Sequence, residues 1–320
     1  MEKTKIDIIS GFLGAGKTTL IKKLLKDAFQ GEQVVLIENE FGEIGIDGGF
    51  LKEAGIQIRE MNSGCICCSL VGDFGASLKE VISKYHPDRI LIEPSGVGKL
   101  SDVIKAVQGV EEETGLVLNS YTTVVDAKKC KMYMRNFGEF FNNQVEYAGA
   151  IIMSRTDIVD EAKAQASLEL LREINAKAAI ITTPIEKLDG KKLLDVMEHP
   201  VSLAQELMEE EEVCPECGHD HHDHHHHHAD EVFTSWGRET IRKFTRENLE
   251  KMLEALSASD EYGIILRAKG MLPAEDGTWI YFDMVPEETE IREGAPEYTG
   301  RLCVIGSKLK EDKLAELFGL

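Results

Sequence analysis

Residues 11–18 read GFLGAGKT, a G-x-x-x-x-G-K-[ST] pattern whose chemistry is to hold a nucleoside triphosphate. Gly11, Gly14 and Gly16 let backbone N–H groups, with that of Ala15 among them, turn inward on phosphate oxygens, and the helix start adds a favourable dipole. Lys17 would neutralise the β and γ phosphates, and Thr18, followed by Thr19, would offer its hydroxyl to Mg2+. A glycine-rich turn that binds nothing is the bland alternative. Residues 93–96 read EPSG after an apolar run. Glu93 would hold the Mg2+ shell through water, and Gly96 would sense whether the γ phosphate is present. A loop acid with no metal is the plain reading of Glu93. Residues 154–157 read SRTD, where Asp157 could accept both N1–H and N2–H of guanine, a donor pair that adenine lacks. The commoner guanine motif is N-K-x-D, so Ser154 stands for Asn and Arg155 for Lys; the stem and planar head of Arg155 could still cover the base. An N-cap role for Thr156 or Asp157 competes with that reading.

A second chemistry lies at 62–68, NSGCICC. In an extended segment Cys65 and Cys67 point the same way, and in a helical turn Cys65 and Cys68 do, so either shape offers two sulfurs to one ion. A four-coordinate site needs more ligands. Glu38 and Glu43, in the ENEFGE stretch, could add oxygens to the thiolates, a set that suits Zn2+ or Co2+ better than Mg2+. Buried structural cysteines or a redox pair are the alternatives. A third cluster holds Cys214, Cys217, His219, His221, His222, His224, His225, His226, His227 and His228. It could capture zinc, cobalt or nickel, or be a solvated linker. Cys130 and Cys303 read as core or incidental residues.

Apolar strand-like runs at 5–10, 34–37, 56–61, 90–92, 121–125, 150–153 and 179–182 alternate with helical patterns at 18–28, 73–84, 101–107, 161–174 and 191–197. Parallel strands with crossover helices follow, giving a doubly wound, mainly parallel α/β sheet of the P-loop kind over residues 1–199. Residues 200–231 have little apolar content and read as an acidic, Cys/His-rich linker. Residues 232–320 carry strands at 232–235, 264–269, 278–285 and 302–305 with helices at 245–256 and 311–318, a smaller α+β domain.

A chain of 320 residues exceeds the usual single domain, and 42% apolar residues can fill a real core. The net charge of −21 argues against a nucleic-acid partner, which needs clustered Lys and Arg. No apolar run approaches a membrane span or a signal peptide, so a cytoplasmic protein with no membrane partner is expected. In that compartment seven cysteines serve metal or redox chemistry better than disulfides.

The succession GFLGAGKTT, ENEFGE, NSGCICC and EPSG, with ILRAKG at 265–270 and CVIGSKL at 303–309, resembles the CobW-type metallochaperone GTPases, relatives of the urease and hydrogenase nickel-insertion GTPases. The resemblance covers essentially the whole chain. It implies a cytosolic GTPase that carries a transition metal and releases it to a client metalloprotein when GTP is hydrolysed; with the ligand chemistry above, the expected cofactors are GTP, Mg2+ and Zn2+ (or Co2+). Carried over to matching positions, its metal site is Cys65, Cys67 and Cys68 with Glu38 and Glu43. The SRTD segment is its clearest departure from the family pattern. A homodimer is one option for its assembly. The rival from another class is a non-catalytic metal buffer working through the histidine tract, and a small-molecule kinase is the third; no acceptor base or second substrate pocket for it is legible.

Overall fold

A computed structural model describes residues 3–38, 57–60, 70–200, 234–286 and 288–320 of the chain. The chain divides into two compact units, Met1–Pro200 and Val201–Leu320.

In the first unit the elements run β1 (Lys5–Gly11), α1 (Lys17–Asp27), β2 (Val34–Glu38), β3 (Gln57–Glu60), α2 (Leu70–Tyr85), β4 (Arg89–Glu93) and α3 (Leu100–Thr114). They continue with β5 (Val117–Asp126), α4 (Cys130–Glu146), β6 (Ala150–Ser154), α5 (Glu161–Ile174), β7 (Ala179–Ile181) and α6 (Gly190–Glu198). The seven strands form one sheet in the order β3-β2-β4-β1-β5-β6-β7, and each pair is parallel. β1, β2, β4 and β6 are almost continuously buried, and β2, β4 and β6 are apolar but for their ends, as strands covered on both faces must be. The chain fills the sheet on one side of β1 as far as β4, then crosses to β5 on the other. That reversal opens a crevice at the carboxyl end of β1, the place where such sheets bind ligands.

The opposite end of the strands is closed by a buried polar cluster. Asp7 of β1 pairs with Arg89 of β4 and accepts from Ser120 Oγ at 2.6 Å and Asn119 Nδ2 at 2.7 Å. Arg89 also donates to Glu198 of α6 at 3.0 Å and to Glu32 at 2.7 Å. An isolated buried charge would be costly; here each is partnered.

Helix α4 has no counterpart among the predicted helices. Its Gly138, Asn142 and Asn143 weaken local helical preference, and it kinks at Phe137 (φ −135°, ψ 32°). Packing holds it: the Phe12 ring meets Tyr133, Phe137 and Phe141 at centroid separations of 4.5, 5.2 and 6.4 Å. Helix α3 runs on to Thr114, beyond the predicted 107, and stops at Gly115 with φ 71°.

The second unit contains β8 (Thr234–Thr240), α7 (Arg246–Ala258), β9 (Ile264–Pro273), β10 (Trp279–Val285), β11 (Glu288–Gly294), β12 (Gly300–Ser307) and α8 (Glu311–Phe318). Its antiparallel sheet has the order β11-β10-β9-β12-β8. Trp236, Leu253, Phe282, Val304 and Phe318 belong to its core, with the rings of Trp236 and Phe318 stacked at 6.1 Å. Strand β11, ETEIREG, escaped prediction because it is a charged, largely exposed edge strand held by its register with β10.

Candidate functional site

The residues after β1 form a loop whose carbonyls are tied away from its interior. Ser154 Oγ donates to Ala15 O at 2.6 Å, Arg155 donates to Gly14 O at 3.0 Å, and Tyr133 Oη reaches Leu13 O at 3.4 Å. The Ala15 N–H, expected to face inward, instead closes a turn by donating to Phe12 O at 3.1 Å, whereas the anchor on Ala15 O turns the Gly16 N–H, at the other end of that trans peptide, the opposite way. Gly14 (φ 68°) and Gly16 (φ 109°) adopt left-handed backbone that glycine tolerates. At Gly11 (φ 145°) a Cβ would stand 2.5 Å from Val124 O, so β1 and β5 approach too closely for a side chain.

Helix α1 then begins at Lys17 with its first-turn N–H groups facing the loop. Lys17 is buried and donates from Nζ to Gly11 O at 3.1 Å. Its Nζ also lies 3.7 Å from Glu93 Oε1, the acid that ends β4. Thr18 is half-buried and Thr19 exposed on the first turn. The hydroxyl of Thr18 and the carboxylate of Glu93 are hard oxygen donors, a set that fits Mg2+. Gly96 packs against the loop: a Cβ there would come 3.0 Å from Leu13 N and 2.8 Å from Leu13 Cδ2.

Strands β5 and β6 deliver the other wall. Asp126, at the end of β5 and 1% exposed, pairs with Arg155 and accepts from the Lys128 N–H at 2.9 Å. Sequence reading missed it, though its signal, an acid closing a β-branched run in TTVVD, is the one that marked Glu93 in RILIE. The guanidinium of Arg155 is thereby engaged with the phosphate loop. Asp157 is exposed, and helix α5 is capped instead by Asp160, whose carboxylate accepts from the Lys163 N–H at 2.8 Å. Thr156 Oγ1 donates to Thr182 O at 2.7 Å. Neither Thr156 nor Asp157 is the helix cap, which removes the competing structural reading of SRTD.

Glu38 ends β2 in register with Glu93 of β4 and Glu60 of β3. The other predicted metal ligands, Glu43, Cys65, Cys67, Cys68 and the cluster from Cys214 to His228, lie outside the described residues. Among the described residues no three His, Cys, Asp or Glu side chains are grouped to hold a metal ion. Cys130 and Cys303 are both buried. Burial, with the Asp126 charge adding to it against a hydrogen bond to Ser167, pushes the Cys130 thiol up to about 12, which makes it a poor ligand. No helix among the described residues is long and apolar enough to cross a membrane.

A central parallel strand feeding a glycine loop onto a helix, with acid-ended strands on both sides, defines a P-loop nucleotide-binding protein. Residues 5–182 match the family described as CobW/HypB/UreG, nucleotide-binding domain, and residues 233–319 match the Cobalamin synthesis protein cobW C-terminal domain. The chain belongs to the CobW/HypB/UreG family. It is 30% identical to the zinc chaperone CobW of Sinorhizobium sp over 217 residues, 59% of this chain and 60% of that one. It is 30% identical to the zinc chaperone YeiR of Escherichia coli (strain K12) over 193 residues, 60% of this chain and 58% of that one. The match thus spans under two thirds of either chaperone. The crystal structure of Zn(II)-bound YjiA GTPase from E. coli is similar at 24% identity, with 100% of this chain and 99% of that one covered and a TM-score of 0.45.

Proposed function

We propose that this chain is a cytoplasmic GTPase that carries a transition metal, zinc first and cobalt second, and hands it to a client metalloprotein under control of GTP hydrolysis. The observation that carries the reading is the level alignment of Glu38, Glu60 and Glu93 on three adjacent strands. From Glu38 the chain runs into the stretch with Glu43, from Glu60 into Cys65, Cys67 and Cys68, and from Glu93 into Gly96. The segments that carry the proposed cargo ligands and phosphate sensor thus follow the carboxyl ends of three adjacent strands, which gives the two sites a common frame through which to be coupled. The relatives named zinc chaperones support zinc as cargo.

In this reading Lys17 and N–H groups of the loop hold the β and γ phosphates, and the Gly96 N–H reports the γ phosphate. Thr18 and Glu93 would hold Mg2+, which when bound neutralises phosphate charge. Asp157, free of a capping role, accepts the guanine N–H pair, while the Arg155 stem lines the base. The cysteine and histidine cluster from Cys214 to His228 gathers metal for the inner site.

Phosphate release by the purified chain tests the enzymatic part. GTP is turned over, ATP is not, and Lys17→Ala abolishes the activity; equal use of ATP and GTP contradicts the guanine assignment, and no turnover contradicts the GTPase.

A further inference from the structure

The backbone between β4 and α3 is gripped from one side by two consecutive residues of α4. Gln144, wholly buried, donates from Nε2 to Gly96 O at 3.1 Å and to Gly98 O at 2.8 Å. Asn143 accepts from the Ser101 N–H at 3.2 Å and donates to Ser101 Oγ at 3.0 Å. Helix α3 has Lys99 at its N-cap, with no side-chain cap of its own, so Asn143 caps it from a different helix. Thr123 Oγ1 donates to Gln144 O at 2.6 Å and fastens this part of α4 to β5.

Both Nε2 hydrogens of Gln144 are used, and its Oε1 is buried with no hydrogen-bond partner. The amide orientation is fixed by chemistry: reversed, it would set an acceptor against two carbonyls. On its other side Gly96 already lies as near to Leu13 of the phosphate loop as a residue without a side chain can. Ser95 O accepts from the Gly98 N–H at 2.9 Å, so the Gly96 N–H, on the other end of that peptide, is turned away from this turn. Among the described residues the Gly96 N–H meets no acceptor.

We propose that Gln144 is a positioning residue that presets Gly96 for the γ phosphate, so that its two hydrogen bonds set the preference for GTP over GDP. This rests on the nucleotide reading above. Gln144 touches no reacting atom. It acts through the loop: two carbonyls in a dry site require donors, and moving this backbone off Gln144 breaks both bonds together. With the loop ordered beforehand, γ-phosphate binding does not bear that ordering cost.

Dissociation constants of GDP and a non-hydrolysable GTP analogue, measured on the full chain by fluorescence titration, test the proposal. Gln144→Met weakens the analogue about tenfold and leaves GDP within about twofold. Gln144→Glu keeps the shape but faces both carbonyls with acceptors; it shifts the ratio the same way and serves if the methionine variant does not fold. Equal weakening of both nucleotides, or an unchanged ratio in both Gln144 variants, overturns the proposal. A wild-type chain that binds neither nucleotide overturns the underlying reading as well, a result distinct from an unchanged ratio.

Discussion

Glu93 Oε1 lies 3.7 Å from Lys17 Nζ, both side chains are buried, and the pair joins the end of β4 to the phosphate loop after β1. A buried cation and a buried acid this close share one electrostatic environment, so changing either alters the other. Glu93→Gln keeps the size and removes the charge. It should lower GTP turnover about a hundredfold while GDP affinity changes only a few-fold. Steady-state phosphate release and GDP titration on one preparation check this; a matching loss of GDP affinity would mean that Glu93 chiefly holds Lys17 in place.

In the proposed reading Asp157 selects the base; it is exposed, next in the chain to the Ser154 and Arg155 that brace the loop. Asp157→Asn replaces an acceptor pair with one acceptor and one donor. It should weaken GTP by roughly 10- to 100-fold and strengthen xanthosine triphosphate, whose base offers a carbonyl where guanine has its amino group. Competition titration with both nucleotides reads the exchange, and an unaltered preference places base recognition elsewhere.

At the other end of the sheet, stability depends on the cluster of Asp7, Arg89 and Glu198. Arg89→Met leaves Asp7 buried without its cation and should cost about 3–5 kcal/mol in urea unfolding. Burial alone would raise the pKa of Glu198; hydrogen bonds from Asn119 and Arg89 with the charges of Arg89 and Lys5 outweigh it and hold the carboxyl below the usual range. A carboxylate held low adds stability above its unfolded pKa and loses it as pH falls through the folded one. Glu198→Gln should therefore flatten the decline in stability below about pH 4.3. Urea midpoints across that range decide it; parallel acid limbs for the two proteins would contradict the assignment.

Cys130 stays out of the metal chemistry. With its thiol buried and pushed up to about 12, it should resist an aromatic disulfide reagent at pH 8 until the chain is unfolded. Cys130→Ser should leave zinc stoichiometry unchanged. Rapid labelling of the native protein at Cys130, located by mass spectrometry, would show that the site opens.

Strand β1, the glycine loop and the helix after it were legible because their parts are local. Glycines at 11, 14 and 16, a strand before them and the 20, 21, 24, 25 stripe after them all fall within one short stretch. Glu93 was legible as the acid closing an apolar strand, and Asp126 carries the same signature. The grip of Gln144 on Gly96 and Gly98 was not, because its partners are 48 and 46 residues away and no spacing rule links them. Helix α4 was hidden for a related reason: its glycine, asparagines and aromatics speak against a helix locally, and packing on Phe12 decides the outcome. Strand β11 forms through pairing with β10 rather than through apolar content.

Zinc affinity measured by competition with a chromophoric chelator, in the presence of GDP and then of a non-hydrolysable GTP analogue, tests the central claim most directly. The expected result is one tight zinc per chain, bound more tightly with the analogue than with GDP, and lost in Cys65→Ser and Cys67→Ser while nucleotide binding persists. Equal zinc affinity with both nucleotides, or tight zinc retained in both serine variants, would contradict a cargo site coupled to the phosphate loop.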